Sequence, residues 1–251
     1  LIEPATGRIK DQIVLSPEIA DGPCWKWMTL ENGVLYVLAG EKEQAEEILH
    51  GERIHSGWPW NALGKGYASK DYPWGFGKTL LAIDPVTKKV LWKRSEPEVI
   101  DSRATTMKNG RIFIYSHQKH LTAVNASNGD NYWRTAAAQL FQAIGEHDRA
   151  QDPRKGYSTT AYLKSGEKAL YFSGPQRHSL VAVSVDDGRM LWSYPHGNYQ
   201  LVIRDDALYA MGRTDVSRLA NAQRGGRKLD VAVNVQPAGA VLGVERVVTA
   251  T

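Results

Sequence analysis

Cysteine is almost missing from this sequence: Cys24 is the only one in 251 residues. An intramolecular disulfide and a thiolate metal cluster are therefore excluded, and the compartment stays open, since oxidising compartments also hold proteins without disulfides. Charge of one sign is missing as well. The 31 Lys and Arg are interleaved with 27 Asp and Glu, for a net charge of +4, which excludes a basic stripe that would track phosphates and implies no nucleic-acid partner. Long apolar runs are absent too. No stretch reaches the roughly 18 residues of a membrane span, and the most apolar one, 231–248, is broken by Asn234, Gln236, Pro237 and Glu245. The chain opens Leu1-Ile2-Glu3, without the charged-then-apolar pattern of a signal peptide.

What the sequence does have is an internal repeat. Residues 81–92, 122–133 and 181–192 align without gaps. Each carries an Ala (Ala82, Ala123, Ala182), then Asp84, Asn125 or Ser184, and a turn pair Thr87-Lys88, Asn128-Gly129 or Asp187-Gly188. Each ends on a Trp ten residues after the Ala: Trp92, Trp133 and Trp192. The first two Trp are 41 residues apart and the next two 59, the excess falling in an insertion near 139–157. A period of about 40 built from short strands is the signature of propeller blades. Weaker copies flank these. Residues 2–8 keep the turn, with Thr6-Gly7, but lack the Trp, and 217–228 keeps the position with a degraded turn.

Upstream of each Trp segment lies a strand pair around a tight turn: Asn32-Gly33, Asn109-Gly110, Ser165-Gly166 and Asp205-Asp206. Asn-Gly between apolar runs is a strong hairpin signal because both residues accept the positive φ of a type I′ turn. Each unit therefore reads as a four-stranded antiparallel meander, strands A to D. One meander cannot bury both faces, so the units stack as blades. The fold class is all-β, with about five blade starts over residues 1–230 and an atypical tail over 231–251.

In an up-and-down meander the A–B and C–D turns share one end, and the B–C and D–A loops the other. Both large insertions, 41–78 and 138–157, are loops of the second kind, so the sequence elaborates one face, where loops on such scaffolds carry function. The first insertion opens with a short helix expected over 41–49. It continues into aromatics that include Trp58 and Trp60, which serve either as a platform for a flat ligand or sugar ring or as a small core of their own. The second insertion, with Glu146, His147 and Asp148, reads as a solvated loop. Residues at the starts of the A strands face the central channel: Lys26 and Trp27; Asp101, Ser102 and Arg103; Tyr157; and His196 and Asn198. Lys26 and Arg103 have the chemistry to hold an anionic group, or to be paired within a water-filled channel. The run Gly75-Phe76-Gly77-Lys78-Thr79 imitates a phosphate loop, but Tyr72 stands where its first Gly belongs. Asn125-Ala126-Ser127 matches the glycosylation acceptor by chance.

The pattern Ala-x-Asp-x-x-Thr-Gly-x-x-x-Trp resembles that of the quinoprotein, or PQQ-like, propeller repeats, with a texture most similar to secreted planctomycete proteins of that kind. The resemblance implies a ring of seven or eight blades, hence blades beyond the five seen here or an unusual closure. It also implies a periplasmic or secreted location. Its repeat residues are packing and turn residues, so function stays open. The reading is a ligand- or protein-binding scaffold with no catalytic motif, no cofactor and no metal, its partner a small molecule, a carbohydrate or an envelope protein. One alternative is a dehydrogenase using PQQ with Ca²⁺, for which the vicinal cysteine pair common in such enzymes is not available. The other is a carbohydrate-active enzyme using the aromatic loop.

Overall fold

The structure is a computed structural model that describes residues 1–20, 22, 24–41, 75–145, 161–174, 179–195, 200–204 and 207–211, together with the backbone of 216–220 and 226–229. Four antiparallel sheets follow one another, each paired in chain order. Blade I holds β1 (Cys24–Glu31), β2 (Val34–Gly40), β3 (Phe76–Ile83) and β4 (Val90–Asp101). Blade II holds β5 (Thr105–Lys108), β6 (Arg111–Ser116), β7 (His120–Asn125) and β8 (Asn131–Thr135). Blade III holds β9 (Leu163–Ser165), β10 (Ala169–Phe172), β11 (Leu180–Ser184) and β12 (Met190–Tyr194). Blade IV holds β13 (Gln200–Arg204), β14 (Ala207–Met211), β15 (Val216–Ala220) and β16 (Gly226–Leu229). This is the all-β arrangement of propeller blades. The weak repeat at 217–228 falls on β15 and β16, and the one at 2–8 forms a hairpin closed by an Ile2–Ile9 bridge.

The repeat unit has one geometry throughout. Trp92, Trp133 and Trp192 stand opposite Ala82, Ala123 and Ala182, and each pair is followed by a register shift. The turns before the three Trp bond alike: Lys88 N donates to Asp84 O, Gly129 N to Asn125 O and Gly188 N to Ser184 O, at 2.8, 2.8 and 3.1 Å. Gly7 N repeats the bond to Glu3 O at 2.8 Å. The donating residue has positive φ in all four, at 70° for Gly7, 60° for Lys88, 81° for Gly129 and 72° for Gly188.

The core lies between blades. Alternate residues of each strand point to opposite faces of a sheet. Tyr36, Leu38, Leu80 and Ala82 of blade I thus meet Ile112, Ile114 and Val124 of blade II, with Trp92 packed alongside. Phe113, Tyr115 and Ala123 of blade II meet Leu170, Phe172 and Val183 of blade III. Tyr171, Ala182 and Trp192 of blade III meet Leu201, Leu208 and Ala210 of blade IV. The indole N–H of Trp92 crosses its seam to Ala126 O at 2.8 Å, and that of Trp133 to Val185 O at 2.9 Å. Ala126 and Val185 occupy the same place in their repeats, so one bond is used twice.

The start of the second insertion is helical, α1 (Ala138–Ile144), because Leu140, Phe141 and Ile144 share one face and bury it on the seam between blades II and III. Gly145, at φ 98°, ends it. A 3-10 turn over Ser102–Ala104, which the sequence reading did not anticipate, precedes β5. The helix expected over 41–49 lies outside the described residues beyond Glu41.

Candidate functional site

The described ends of the two connections that carry the insertions meet at the 3-10 turn. Ser102 N donates to Gly75 O, and Tyr162 N donates to Arg103 O, both at 2.9 Å. Gly75 closes the B–C connection of blade I, and Tyr162 closes the D–A connection from blade II to blade III. At the opposite end the A–B and C–D turns meet: Asn109 Nδ2 donates to Glu167 Oε2 at 2.9 Å, and Arg111 Nη1 to Asp186 Oδ1 at 3.0 Å.

Asp101, fully buried at the end of β4, organises the loop-bearing end. Its carboxylate caps the 3-10 turn by accepting from Arg103 N at 3.0 Å. It accepts again from Arg103 Nε at 2.9 Å and Nη2 at 2.6 Å, and from the Tyr162 hydroxyl at 2.7 Å. The guanidinium lies between two rings, 5.7 Å from the Phe76 centroid and 5.6 Å from that of Tyr162. A buried charge is stable only with its partner and its hydrogen bonds in place. Arg103 has both, and the result is a fixed junction between Gly75 and Tyr162. Lys26, on β1, runs across Gly40. A Cβ built on Gly40 would lie 3.0 Å from Lys26 Cε and 2.4 Å from Phe76 O, so Lys26 and Arg103 both adjoin Phe76. Trp27 packs against the core between blades I and II. Tyr157, His196, Asn198, Trp58 and Trp60 lie outside the described residues.

A second buried charge cluster was not foreseen. β4 bulges between Ser95 and Ile100, and this turns Glu96 into the seam with blade II. There Glu96 accepts from Arg94 Nε at 2.7 Å and Nη2 at 2.5 Å, and from Arg134 Nη2 at 2.5 Å. Arg94 also reaches Gly129 O at 2.8 Å. Burial pushes the Glu96 carboxyl up, but the hydrogen bonds from Arg94 and Arg134 outweigh it, so its pKa lies below the ordinary value. His120 sits beside it, Nε2 3.7 Å from Glu96 Oε2 and Nδ1 3.0 Å from Thr122 Oγ1. Burial and then the Arg134 charge push His120 down to about 4, against the pull of Glu96. His120 is thus neutral near pH 7, and its contact with Glu96 is not an ion pair. The one signal in the sequence is spacing: Glu96 and Arg134 are 38 residues apart, close to one repeat.

A small cleft of ≈ 170 Å³ lies at the turn end, between blades II and III, with Phe113 among its lining residues. Lys108–Glu167 and Arg111–Asp186 ion pairs, at 2.5 and 3.0 Å, span it. The loop-bearing end, where the sequence reading places function, lies largely outside the described residues. Among the described residues no three His, Cys, Asp or Glu side chains come together as a metal site, and no helix is long and apolar enough to cross a membrane.

The repeat geometry has a counterpart among known proteins. Residues 77–244 match the family model described as outer membrane protein assembly factor BamB. The chain belongs to this family of PQQ-like propellers. No curated protein matches it. Among solved structures, BamB from Moraxella catarrhalis is 13% identical with a TM-score of 0.42, over 61% of this chain and 46% of that one. The chain therefore spans under half of the BamB it matches. Quinohemoprotein alcohol dehydrogenase from Comamonas testosteroni is 9% identical with a TM-score of 0.46, over 83% of this chain and 35% of that one. The computationally designed Ika4 protein is 9% identical with a TM-score of 0.45, over 79% and 91%. Membership in the BamB-type family accounts for the blades.

Proposed function

We propose that this BamB-type propeller is a binding scaffold of the cell envelope, periplasmic or secreted, whose loop-bearing end docks a protein partner. The observation that carries the reading is the Asp101–Arg103–Tyr162 knot. It fastens the described ends of the two connections that carry the insertions to one buried, hydrogen-bonded junction. Loops held on a rigid base bind with less ordering entropy than loops that move independently. The family's description as an assembly factor supports a protein partner. The same reading holds that the chain does not use PQQ with Ca²⁺. Arg103, the residue best suited to a quinone carboxylate, is neutralised by Asp101 and sandwiched between Phe76 and Tyr162. A carboxylate ligand would have to compete with Asp101 in place.

Photo-crosslinking in cells tests the proposal. A photoreactive residue at position 60 or 150, in the two insertions, is expected to trap one envelope protein. The same residue at position 86 or 187, in the C–D turns, is expected to trap none. Equal trapping from both ends, or Ca²⁺-dependent quinone uptake by the purified chain, would defeat the scaffold reading.

A further inference from the structure

Asn-Gly puts a side-chain amide carbon within reach of a backbone nitrogen that no Cβ shields. The pair occurs three times, at 32–33, 109–110 and 128–129, each in a turn of the repeat, and the three differ in what holds them. At 128–129 the pair is locked. Asn128 Nδ2 donates to Asp130 Oδ2 at 2.7 Å, and Asn128 Oδ1 accepts from Asp130 N at 3.0 Å. Gly129 is buried, and its N–H donates to Asn125 O at 2.8 Å. At 109–110 the lock is partial: Asn109 Nδ2 donates across the seam to Glu167 Oε2 at 2.9 Å, and Gly110 is half-buried. At 32–33 it is missing. Asn32 and Gly33 are both exposed, and nothing lies within 4 Å of the Gly33 Cβ position. Among the described residues neither the Asn32 amide nor the Gly33 N–H has a hydrogen-bond partner. The backbone of the two A–B turns is the same, with Asn at φ 50° and 51° and Gly at 79° and 70°, so the contacts make the difference between them.

We propose that Asn32 is a modification site, a spontaneous deamidation site that converts to aspartate and isoaspartate while Asn109 and Asn128 persist. Solvent base takes the Gly33 N–H proton, and the nitrogen attacks Asn32 Cγ. The Cγ–Nδ2 bond breaks, and ammonia leaves with a proton returned by solvent. Water then opens the resulting succinimide ring at one of its two carbonyls. Opening at Cγ gives aspartate. Opening at the former backbone carbonyl gives isoaspartate, with the chain now running through Cγ. The sum is one water consumed and one ammonia released, without oxidation or reduction. The two products differ in consequence. Aspartate keeps the turn, because Asp-Gly also suits type I′, and it adds a carboxylate next to Glu31. Isoaspartate adds a backbone atom to the two-residue loop that sets the Glu31–Val34 register of β1 on β2.

Peptide mass spectrometry of the purified chain, kept folded in mildly alkaline buffer, tests all three sites at once. Position 32 is expected to gain the mass of an amide-to-acid exchange about tenfold faster than 109, the factor that one net hydrogen bond makes in a barrier. Position 128 is expected to lag behind both. The position-32 peptide is expected to split on chromatography into two acid products of equal mass, as opening of a ring requires. Glu167→Ala frees the Asn109 amide and is expected to raise the rate at 109 toward that at 32, leaving 32 unchanged. In urea, where the contacts are gone, the three rates are expected to converge. A folded chain in which 109 or 128 converts as fast as 32, or in which position 32 does not convert, overturns the proposal. A rate at 109 unmoved by Glu167→Ala, with far-UV dichroism like that of the wild type, overturns it as well, because the contacts then do not set the order.

Discussion

Gly188 lies directly under the indole of Trp133, in the preceding blade: a Cβ on Gly188 would sit 2.6 Å from the ring. Gly129 stands in the same relation to Trp92, at 3.0 Å. The turn glycine thus answers two demands, a positive φ and a flat neighbour. Gly7 answers only the first, since nothing lies within 4 Å of its Cβ position. Gly7→Ala is expected to cost about 1 kcal/mol, the backbone penalty at positive φ. Gly188→Ala is expected to cost that plus a further ~1–3 kcal/mol of overpacking. Urea unfolding of the two variants measures the difference, and equal losses would mean that the indole contact is immaterial.

The contact between the N-terminal hairpin and blade I shows what happens when the pair changes together. Aligned on their turns, Asp11 takes the place of Trp92, and Lys88 the place of Gly129. Lys88 Nζ reaches Asp11 Oδ1 at 2.5 Å. Without an indole above it, the turn accommodates a long side chain.

The blades were legible in the sequence because they rest on local signals, an Ala–Trp spacing and a turn with positive φ, repeated often enough to align. The reason for Gly129 and Gly188 was only half legible. Turn chemistry is local, whereas the indole above each comes from a residue 37 or 55 positions earlier. The candidate site was less legible. Arg103 was picked out for its charge, but its pairing with Asp101 depends on a 3-10 turn that periodicity does not show. Glu96 escaped notice because a bulge in β4, invisible to a period-two reading, turns it into the seam.

The Asp101–Arg103 pair makes Arg103 a residue of the fold as well as of the loop-bearing end. Arg103→Ala would leave the Asp101 carboxylate buried and uncompensated, for an expected loss of ~3–5 kcal/mol. Tyr162→Phe removes one hydrogen bond to the same carboxylate and is expected to cost about 1.5–3 kcal/mol, the range for a charged acceptor. Joint replacement by Asp101→Leu and Arg103→Met removes both charges and is expected to recover most of the Arg103→Ala loss. Denaturant titrations of the three decide it: a double variant as unstable as Arg103→Ala would show that the charge was not the cause.

His120 and Glu96 give the seam between blades I and II a pH dependence in two steps. The native His120 pKa is depressed to about 4 from 6.5, so between these values the unfolded chain binds more protons. Stability therefore falls as pH drops from 6.5 toward 4, by about 3 kcal/mol in total for this group. Glu96 also has a depressed native pKa. Its contribution is complete above the unfolded carboxyl value and is lost as pH falls below it. Unfolding free energies across this range are expected to show both losses, and His120→Asn to flatten the upper one while leaving the lower. An upper limb unchanged by His120→Asn would assign that proton uptake elsewhere.

The three repeat tryptophans are equivalent in position but not in bonding, and phenylalanine substitution reads the difference. Trp92 Nε1 donates to Ala126 O and Trp133 Nε1 to Val185 O, while Trp192 Nε1 is buried without a partner among the described residues. Trp→Phe removes part of the ring at all three sites, a loss that is similar at half-buried Trp92 and Trp133 and larger at buried Trp192. At Trp92 the bond is lost and is expected to add about 1 kcal/mol to the ring loss. At Trp133 the addition should be smaller, because Arg111 Nη1 also donates to Val185 O, at 3.0 Å, and keeps that carbonyl satisfied. At Trp192 the change removes an unsatisfied donor whose burial itself costs ~1–3 kcal/mol, offsetting the larger ring loss. The expected order of destabilisation is Trp92→Phe, then Trp133→Phe, then Trp192→Phe. Thermal and urea unfolding of the three variants test the order, and a Trp192→Phe loss equal to that of Trp92→Phe would show that its indole N–H finds an acceptor in solution.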